Sequence, residues 1–248
     1  GRGELHLAIL IETMRREGYE LQVSQPEVIM HEEGGIKLEP FEKLSIIVPL
    51  EYQGTIIEEI GQRRGQLLDM NHAENGEVHL DYSITTRGLI GLKSKLLTMT
   101  RGTIVLNHIF DSYRPMEHIG DITTPHGSLV STEAGLSNSY GLNNAQERGI
   151  LFIGPAVEVY AGMVVGQNAK AEDIDINICR TKRLSNVRAS GTDEAIILTT
   201  PKSMSLEEAL EYIGRDELLE VTHLSLRIRK RNLYPLKRKR EKIKTYAE

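Results

Sequence analysis

The residues of this sequence best suited to chemistry lie in the stretch Arg180 to Glu194, RTKRLSNVRASGTDE. Here Arg180, Lys182, Arg183 and Arg188 fall within nine residues and no acid appears before Asp193. Guanidinium, ammonium and amide groups donate to phosphate oxygens, so these four cations, with Ser185, Asn186, Ser190 and Gly191 among them, suit phosphate contact better than core packing. A second candidate is the pair Arg227 and Arg229. Leu224, Leu226 and Ile228 alternate with Ser225, Arg227 and Arg229, which puts both arginines on one face of a strand. They open a basic tail, residues 227–244, with ten Lys and Arg against Glu241. Since the whole chain carries a net charge of -5, its remainder is strongly acidic. Such a chain meets polyanions at chosen points and is repelled elsewhere.

Other chemistries lack their residues. There is no G-x-x-x-x-G-K-[ST] loop to cradle a nucleotide phosphate, and Gly1, Gly3 and Gly18 make no dinucleotide fingerprint. His31-Glu32-Glu33 lacks the second histidine of a zinc helix, and His72-Ala73-Glu74 lacks the paired cysteines of a deaminase. No nucleophile elbow G-x-S-x-G occurs. Cys179 is the single cysteine, which excludes an internal disulfide and a multi-thiolate metal site. Arg180 beside it would lower its pKa, but one thiol at a strand end is expected to pack. No catalytic, metal or cofactor site is expected, and the address expected is reducing and cytoplasmic.

The elements that must position the basic stretch are two short apolar runs. Asp173 to Ile178 alternates polar residues with Ile174, Ile176 and Ile178, and Ala195 to Leu198 follows it, so the pattern predicts strand, long loop, strand. A loop of this length inside a compact domain is normally functional or disordered. At 248 residues, 40% hydrophobic and 26% charged, the chain has room for two modest domains, with no apolar run of the roughly 20 residues a membrane helix needs.

In chain order, Leu7, Leu10, Ile11 and Met14 predict one helical face ending at Gly18, followed by a strand at Tyr19 to Val23. One helix and one strand cannot close a core, and Gly1 is no start-codon product. The first 35 residues are therefore expected to be half of a broken domain in a piece of a longer chain. Residues 36–115 are regular. Leu44 to Val48 is a strand, and Tyr52 to Ile60 a helix with Ile56, Ile57 and Ile60 inward. Leu67 to Met70 and Val78 to Ile84 form a hairpin through Asn75-Gly76 in a type I′ turn, Leu89 to Thr100 is a helix, and Thr103 to Asn107 a strand. That order is β-α-β-β-α-β, a ferredoxin-like split βαβ unit of the α+β class, which hosts many functions. Residues 116–248 predict a mostly-β domain. Short strands lie at Ile150 to Ile153, Val157 to Tyr160 and Met163 to Val165, with a short helix at Asn143 to Arg148. A helix starts at the capping box Ser205–Glu208 and buries Leu206, Ala209, Leu210 and Ile213.

GRGELHLAILIETMRREGYELQVSQPEVI resembles the end of domain III of the translational GTPases related to elongation factor G, and residues 39–113 are similar to their domain V. Ile29 to Pro40 leaves no room for a domain IV between them. TTRGLIGLKSKLLTMTRGTIVLNHIFDSY, GLNNAQERG and RLSNVRASGTDEA resemble the BipA/TypA ribosome-binding GTPases and not LepA. The resemblance covers the chain to about Leu233. It implies the C-terminal part of a ribosome-associated GTPase active in stress adaptation and ribosome assembly, whose C-terminal domain approaches ribosomal RNA and A-site tRNA. GTP and Mg would belong to the absent GTPase domain, so hydrolysis is carried over to no residue here. By this pattern Arg180, Lys182, Arg183, Asn186, Arg188, Arg227 and Arg229 reach RNA, with the ribosome as partner and neither DNA nor membrane. A monomer is expected. Arg87 and Lys93 are expected to form a solvated face. Two other functions stay open: an enzyme whose basic loop closes over a phosphorylated substrate, for which only Asp175, Asp193 and Glu194 offer a nearby general base, and an adaptor docking through the edge of the split βαβ sheet.

Overall fold

The computed structural model describes residues 4–116, 127–181 and 196–238. They gather into two units, Pro26–Thr124 and a second made of Gly1–Gln25 with Pro125–Glu248. The chain opens with α1 (Glu4–Arg16) and β1 (Leu21–Ser24). Gly18, at φ +88°, closes α1. Its N–H donates to the Arg15 carbonyl and that of Tyr19 to the Met14 carbonyl, the paired closure that a left-handed residue permits.

The unit Pro26–Thr124 contains β2 (His31–Glu33), β3 (Ile36–Pro49), α2 (Gln53–Gln62), β4 (Gln66–His72), β5 (Glu77–Thr85), α3 (Thr86–Leu89), α4 (Leu92–Met99) and β6 (Val105–Pro115). The sheet order is β6-β3-β5-β4, every neighbour antiparallel, with β2 extending β3. This is the ferredoxin-like arrangement expected of the sequence. Leu44, Ile46 and Val48 of β3 and Val78, Leu80, Tyr82 and Ile84 of β5 share one core with Ile56, Ile60, Leu92 and Leu96 of the helices.

Three local expectations are corrected in this unit. Ile57 is 36% exposed, because α2 turns Ile56, Glu59 and Ile60 inward and a residue next to Ile56 lies about 100° round the helix. The helix expected over Leu89 to Thr100 is broken into α3 and α4 at Ile90 and at Gly91, whose φ is +64°. The hairpin turn is not type I′. Of the two residues Asn75 and Gly76 only Gly76 has positive φ, and its N–H donates to the Ala73 carbonyl, so the loop is the four residues 73–76. The Asn75 side chain instead caps the turn by accepting from the Glu77 N–H at 3.2 Å.

The second unit continues with β7 (Gly127–Ser131), β8 (Gly135–Leu136), α5 (Ser139–Gln146), β9 (Gly149–Leu151), β10 (Glu158–Val159), β11 (Met163–Asn168), β12 (Ile174–Ile176), α6 (Leu206–Tyr212), β13 (Glu217–Val221) and β14 (Leu226–Lys230). Its main sheet runs β1-β13-β14-β11-β7-β12, with β9 also on β11 and β8 pairing β10 apart. The N-terminal segment expected to stand as half of a broken domain divides here. Residues 26–35 go with the ferredoxin-like unit, while Leu21 to Ser24 pair with Leu218 to Val221 in the second sheet. There the backbone of β1 finds a ladder. Ala8 and Ile11 of α1 find Leu206, Ala209 and Leu210 of α6 and Ile213 just after it. Leu10, expected on the buried face, is 54% exposed, because the contact with α6 centres on Ala8 and Ile11. The capping box is present, with Ser205 and Glu208 each bonding the other's backbone N–H. β7, every residue of which is buried, has no alternation to announce it and was not expected as a strand. Among the described residues no helix is long and apolar enough to cross a membrane.

Candidate nucleic-acid interface

Lys182, Arg183, Asn186 and Arg188 lie outside the described residues, as do Asp193 and Glu194. What is described is how the chain enters and leaves that segment. On the entering side, β12 pairs in parallel with β7. Beyond it the Thr132 N–H donates to the Ile176 carbonyl and the Asn138 N–H to the Ile178 carbonyl, both at 3.1 Å. Ile178 is fully buried in a core with Leu142, Ala145 and Val165. Gly141 approaches so closely that a Cβ there would stand 2.3 Å from the Ile178 carbonyl oxygen. Arg180 follows, exposed at the mouth of the segment.

On the leaving side a strand is expected at Ala195 to Leu198, and the described residues Ile196 to Leu198 form none. Ile196 and Ile197 are exposed, and Leu198 packs against the core. The reason is the partner. The Gln146 side-chain amide donates through Nε2 to the Ile197 carbonyl at 3.0 Å and accepts through Oε1 from the Thr199 N–H at 3.0 Å. A side chain thus takes the place of a neighbouring strand. Asn143 Oδ1 accepts from the same Nε2 at 2.8 Å and fixes the amide's orientation. Further on, the Lys202 N–H donates to the Leu151 carbonyl. Both stems therefore rest on α5, the entering one at its first turn and the leaving one at its last. α5 starts earlier than the expected Asn143 to Arg148 because the Asn138 side chain caps it, accepting from the Gly141 N–H at 2.9 Å. Neither Asn138 nor Gln146 stood out as functional in the sequence, although both flank or belong to the turn-rich stretch GLNNAQERG.

The second candidate pair separates. Arg227 and Arg229 share a face of β14, opposite buried Ile228 and Lys230, as alternation requires. Arg229 is committed internally. Its Nε lies 2.7 Å from Glu220 Oε1, and its guanidinium donates to Gln22 Oε1 at 2.7 Å. Glu220 also accepts from the Tyr160 hydroxyl at 2.6 Å, and burial together with that bond raises the Tyr160 pKa. Arg227 is partly exposed with no such commitment among the described residues.

The basic tail divides in the same way. Lys230 is buried, with Nζ 3.0 Å from Asp173, Asp216 and Glu217. Burial works against its charge, but Glu217, Asp216 and Asp173 outweigh it and raise its pKa. Ser128 joins this cluster, its hydroxyl donating to Glu217 Oε1 at 2.5 Å and its backbone N–H to Asp173 Oδ1 at 3.0 Å. Arg238 is buried and paired with Asp175 of β12. That pairing ties the chain after β14 to the strand that feeds the basic segment, and it removes Asp175 as a free general base. Leu233 packs under Gly162, where a Cβ would stand 2.7 Å from its side chain. Residues 239–248 lie outside the described residues.

Elsewhere, Arg87 does not belong to a solvated face. Its Nη2 is 2.8 Å from Glu39, whose side chain is fully buried and needs a cation. Lys93 is exposed as expected. Arg63 donates to the carbonyls of Gly88 and Ile90, which holds the α3–α4 break, while Glu59 receives Arg63 at 2.9 Å and Lys95 at 2.6 Å. The Cys179 thiol is pushed up, not down: burial raises its pKa and Glu133 adds to this. β4, exposed throughout, is the edge of the ferredoxin-like sheet.

Residues 126–235 match the TypA/BipA C-terminal domain, and residues 36–120 match the elongation factor G C-terminus. Proteins named "Large ribosomal subunit assembly factor BipA" are similar over nearly all of this chain. The Synechocystis protein is 48% identical over 93% of the chain, the Bacillus subtilis protein 47% over 98%, and the Salmonella typhimurium protein 48% over 97%. The chain spans 38%, 39% and 40% of those relatives' own lengths.

Proposed function

The chain belongs to the TypA/BipA family as a C-terminal portion, and from that premise we propose that it is the ribosome-binding part of a translational GTPase serving large-subunit assembly. Its basic segment is the element that reaches RNA. Arg180, Lys182, Arg183 and Arg188, with Asn186, meet phosphates of ribosomal RNA or of a tRNA in the A site, and Arg227 supplies a further contact. The observation that carries this is the four-cation stretch on an acidic chain, held at both stems by α5. Arg229 serves the fold first, since its guanidinium is shared between Glu220 and Gln22. Nucleotide hydrolysis belongs to the part of the relatives that this chain does not span.

The test is binding to purified ribosomes across a salt series. Replacing Lys182, Arg183 and Arg188 together with Ala should weaken binding and lower the magnitude of the log-log salt slope by about 0.7 to 0.9 for each phosphate no longer neutralised. The melting temperature should hold, because a charge that serves phosphate contact and not packing changes stability by no more than about 0.5 kcal/mol when removed. The comparison is a truncation after Arg238. One after Asn232 would also remove Leu233 and Arg238, which pack and pair inside the unit. If the triple variant binds like the parent and the truncated chain does not bind, the basic segment is not the RNA-reaching element. Loss of binding to phosphorylated metabolites with ribosome affinity unchanged would favour a substrate lid.

A further inference from the structure

We infer that α5 is a positioning device for the basic segment, with Gln146 as its working residue. This rests on the proposed RNA contact of that segment and adds to it a residue that carries no charge and touches no RNA. The Gln146 amide holds the Ile197 carbonyl and the Thr199 N–H, two groups on one side of the chain where it leaves the segment. At the other end of the helix the Asn138 N–H holds the Ile178 carbonyl where the chain enters. Eight residue steps of helix separate Asn138 from Gln146, about 12 Å at 1.5 Å each. That spacing is far wider than the roughly 5 Å between paired strands. The two described stems, at Ile178 and at Ile197, are therefore held at opposite ends of one helix and are not paired with each other as strands. Asn143 keeps the Gln146 amide turned the right way, so the second hold is built from two side chains of one helix.

Geometry fixed before binding spares the cost of fixing it on binding. The next backbone bond after the Gln146 bonds is that of Lys202 to the Leu151 carbonyl. Without the amide, at least one further residue of the leaving stem must be ordered when RNA is met. Fixing one residue's backbone corresponds to about tenfold in affinity.

The experiment uses the chain with Gln146→Ala, with the Lys182/Arg183/Arg188→Ala variant beside it, titrated against purified ribosomes across a salt series. Hydrogen exchange is followed at the amides of Thr199 and of β7. The expected result is about tenfold weaker binding by Gln146→Ala with the salt slope of the parent, since every phosphate-binding cation is still in place. Protection should fall at Thr199 and stay unchanged in β7. Parent-like affinity for Gln146→Ala, with the triple variant weakened and its slope lowered, would overturn the positioning role and leave the RNA contact standing. A triple variant that binds like the parent would overturn the RNA contact itself. Loss of β7 protection in Gln146→Ala would make the residue a general stabiliser and overturn the inference. Gln146→Glu keeps the acceptor for Thr199 and loses the donor to Ile197, so it should bind between Gln146→Ala and the parent. If it binds no better than Gln146→Ala, the Thr199 bond plays no part.

Discussion

Replacing Lys230 with Met would test whether a buried charge cluster holds the second unit together. The Lys230 side chain is 3% exposed and Nζ lies 3.0 Å from three carboxylates, which sit on β13, just before β12, and in the turn between α6 and β13. Removing one partner of a buried pair costs about 3 to 5 kcal/mol, because the other charge is left uncompensated. The three acids do not share this equally. Asp216 is 55% exposed, so water replaces the ammonium there and its share is about 0 to 1 kcal/mol. Glu217 is 2% exposed and bears most of the loss. It keeps the bonds from the Ser128 hydroxyl at 2.5 Å and the Gly214 N–H at 2.9 Å, which places the expected cost in the lower half of the range, about 3 to 4 kcal/mol. The assay is denaturant-dependent hydrogen exchange of the β13 and β14 amides, which isolates this unit where a single unfolding midpoint would mix two. Adding Glu217→Gln to Lys230→Met removes a buried charge that no longer faces the ammonium and should recover at least about 1 kcal/mol. A cost below about 1 kcal/mol, or a double variant less stable than the single one, would refute a cluster in which Lys230 is the compensating charge.

In the ferredoxin-like unit, Leu96→Ala should cost about 2 to 5 kcal/mol in denaturant midpoints, since the side chain is fully buried. Ile57→Ala should cost well under half of that, and equal costs would mean that α2 is rotated. Acid should weaken the same unit through Glu59. Burial pushes its carboxyl up, but Lys95 and Arg63 outweigh this and leave its pKa below the ordinary value. A depressed folded pKa contributes stability above the unfolded value of about 4.3 that is lost as pH falls through the folded one. The gap between parent and Glu59→Gln should therefore be widest near neutral pH and close on acidification. A gap that stays constant from pH 7 to 3 would sink that assignment.

Much of this molecule was settled by the order of its residues. Strict alternation in Val78, Leu80, Tyr82 and Ile84, the stripe Ile56 and Ile60, and the box Ser205–Glu208 are local signals. Each element they announce formed because period and capping act over a few residues. The concentration of cations at Arg180 to Arg188 is also a property of sequence alone. What sequence could not supply is which of its charges are free. Arg229, Lys230, Arg238 and Arg87 look like surface cations when counted along the chain. Each is taken by an acid from another strand or loop, Glu220, Asp173 with Glu217, Asp175 and Glu39 respectively. A buried carboxylate demands a cation wherever the topology brings one, and nothing at short range marks that pairing. Tertiary structure alone likewise decided that Leu21 to Ser24 pair with β13, almost two hundred residues on. It also gave the chain leaving the basic segment a glutamine side chain for a partner where a short apolar run had promised a strand. A strand needs a neighbour whose backbone faces it in register. Apolar residues announce only the wish to be buried, and Ile197, with its carbonyl held by Gln146, remains exposed.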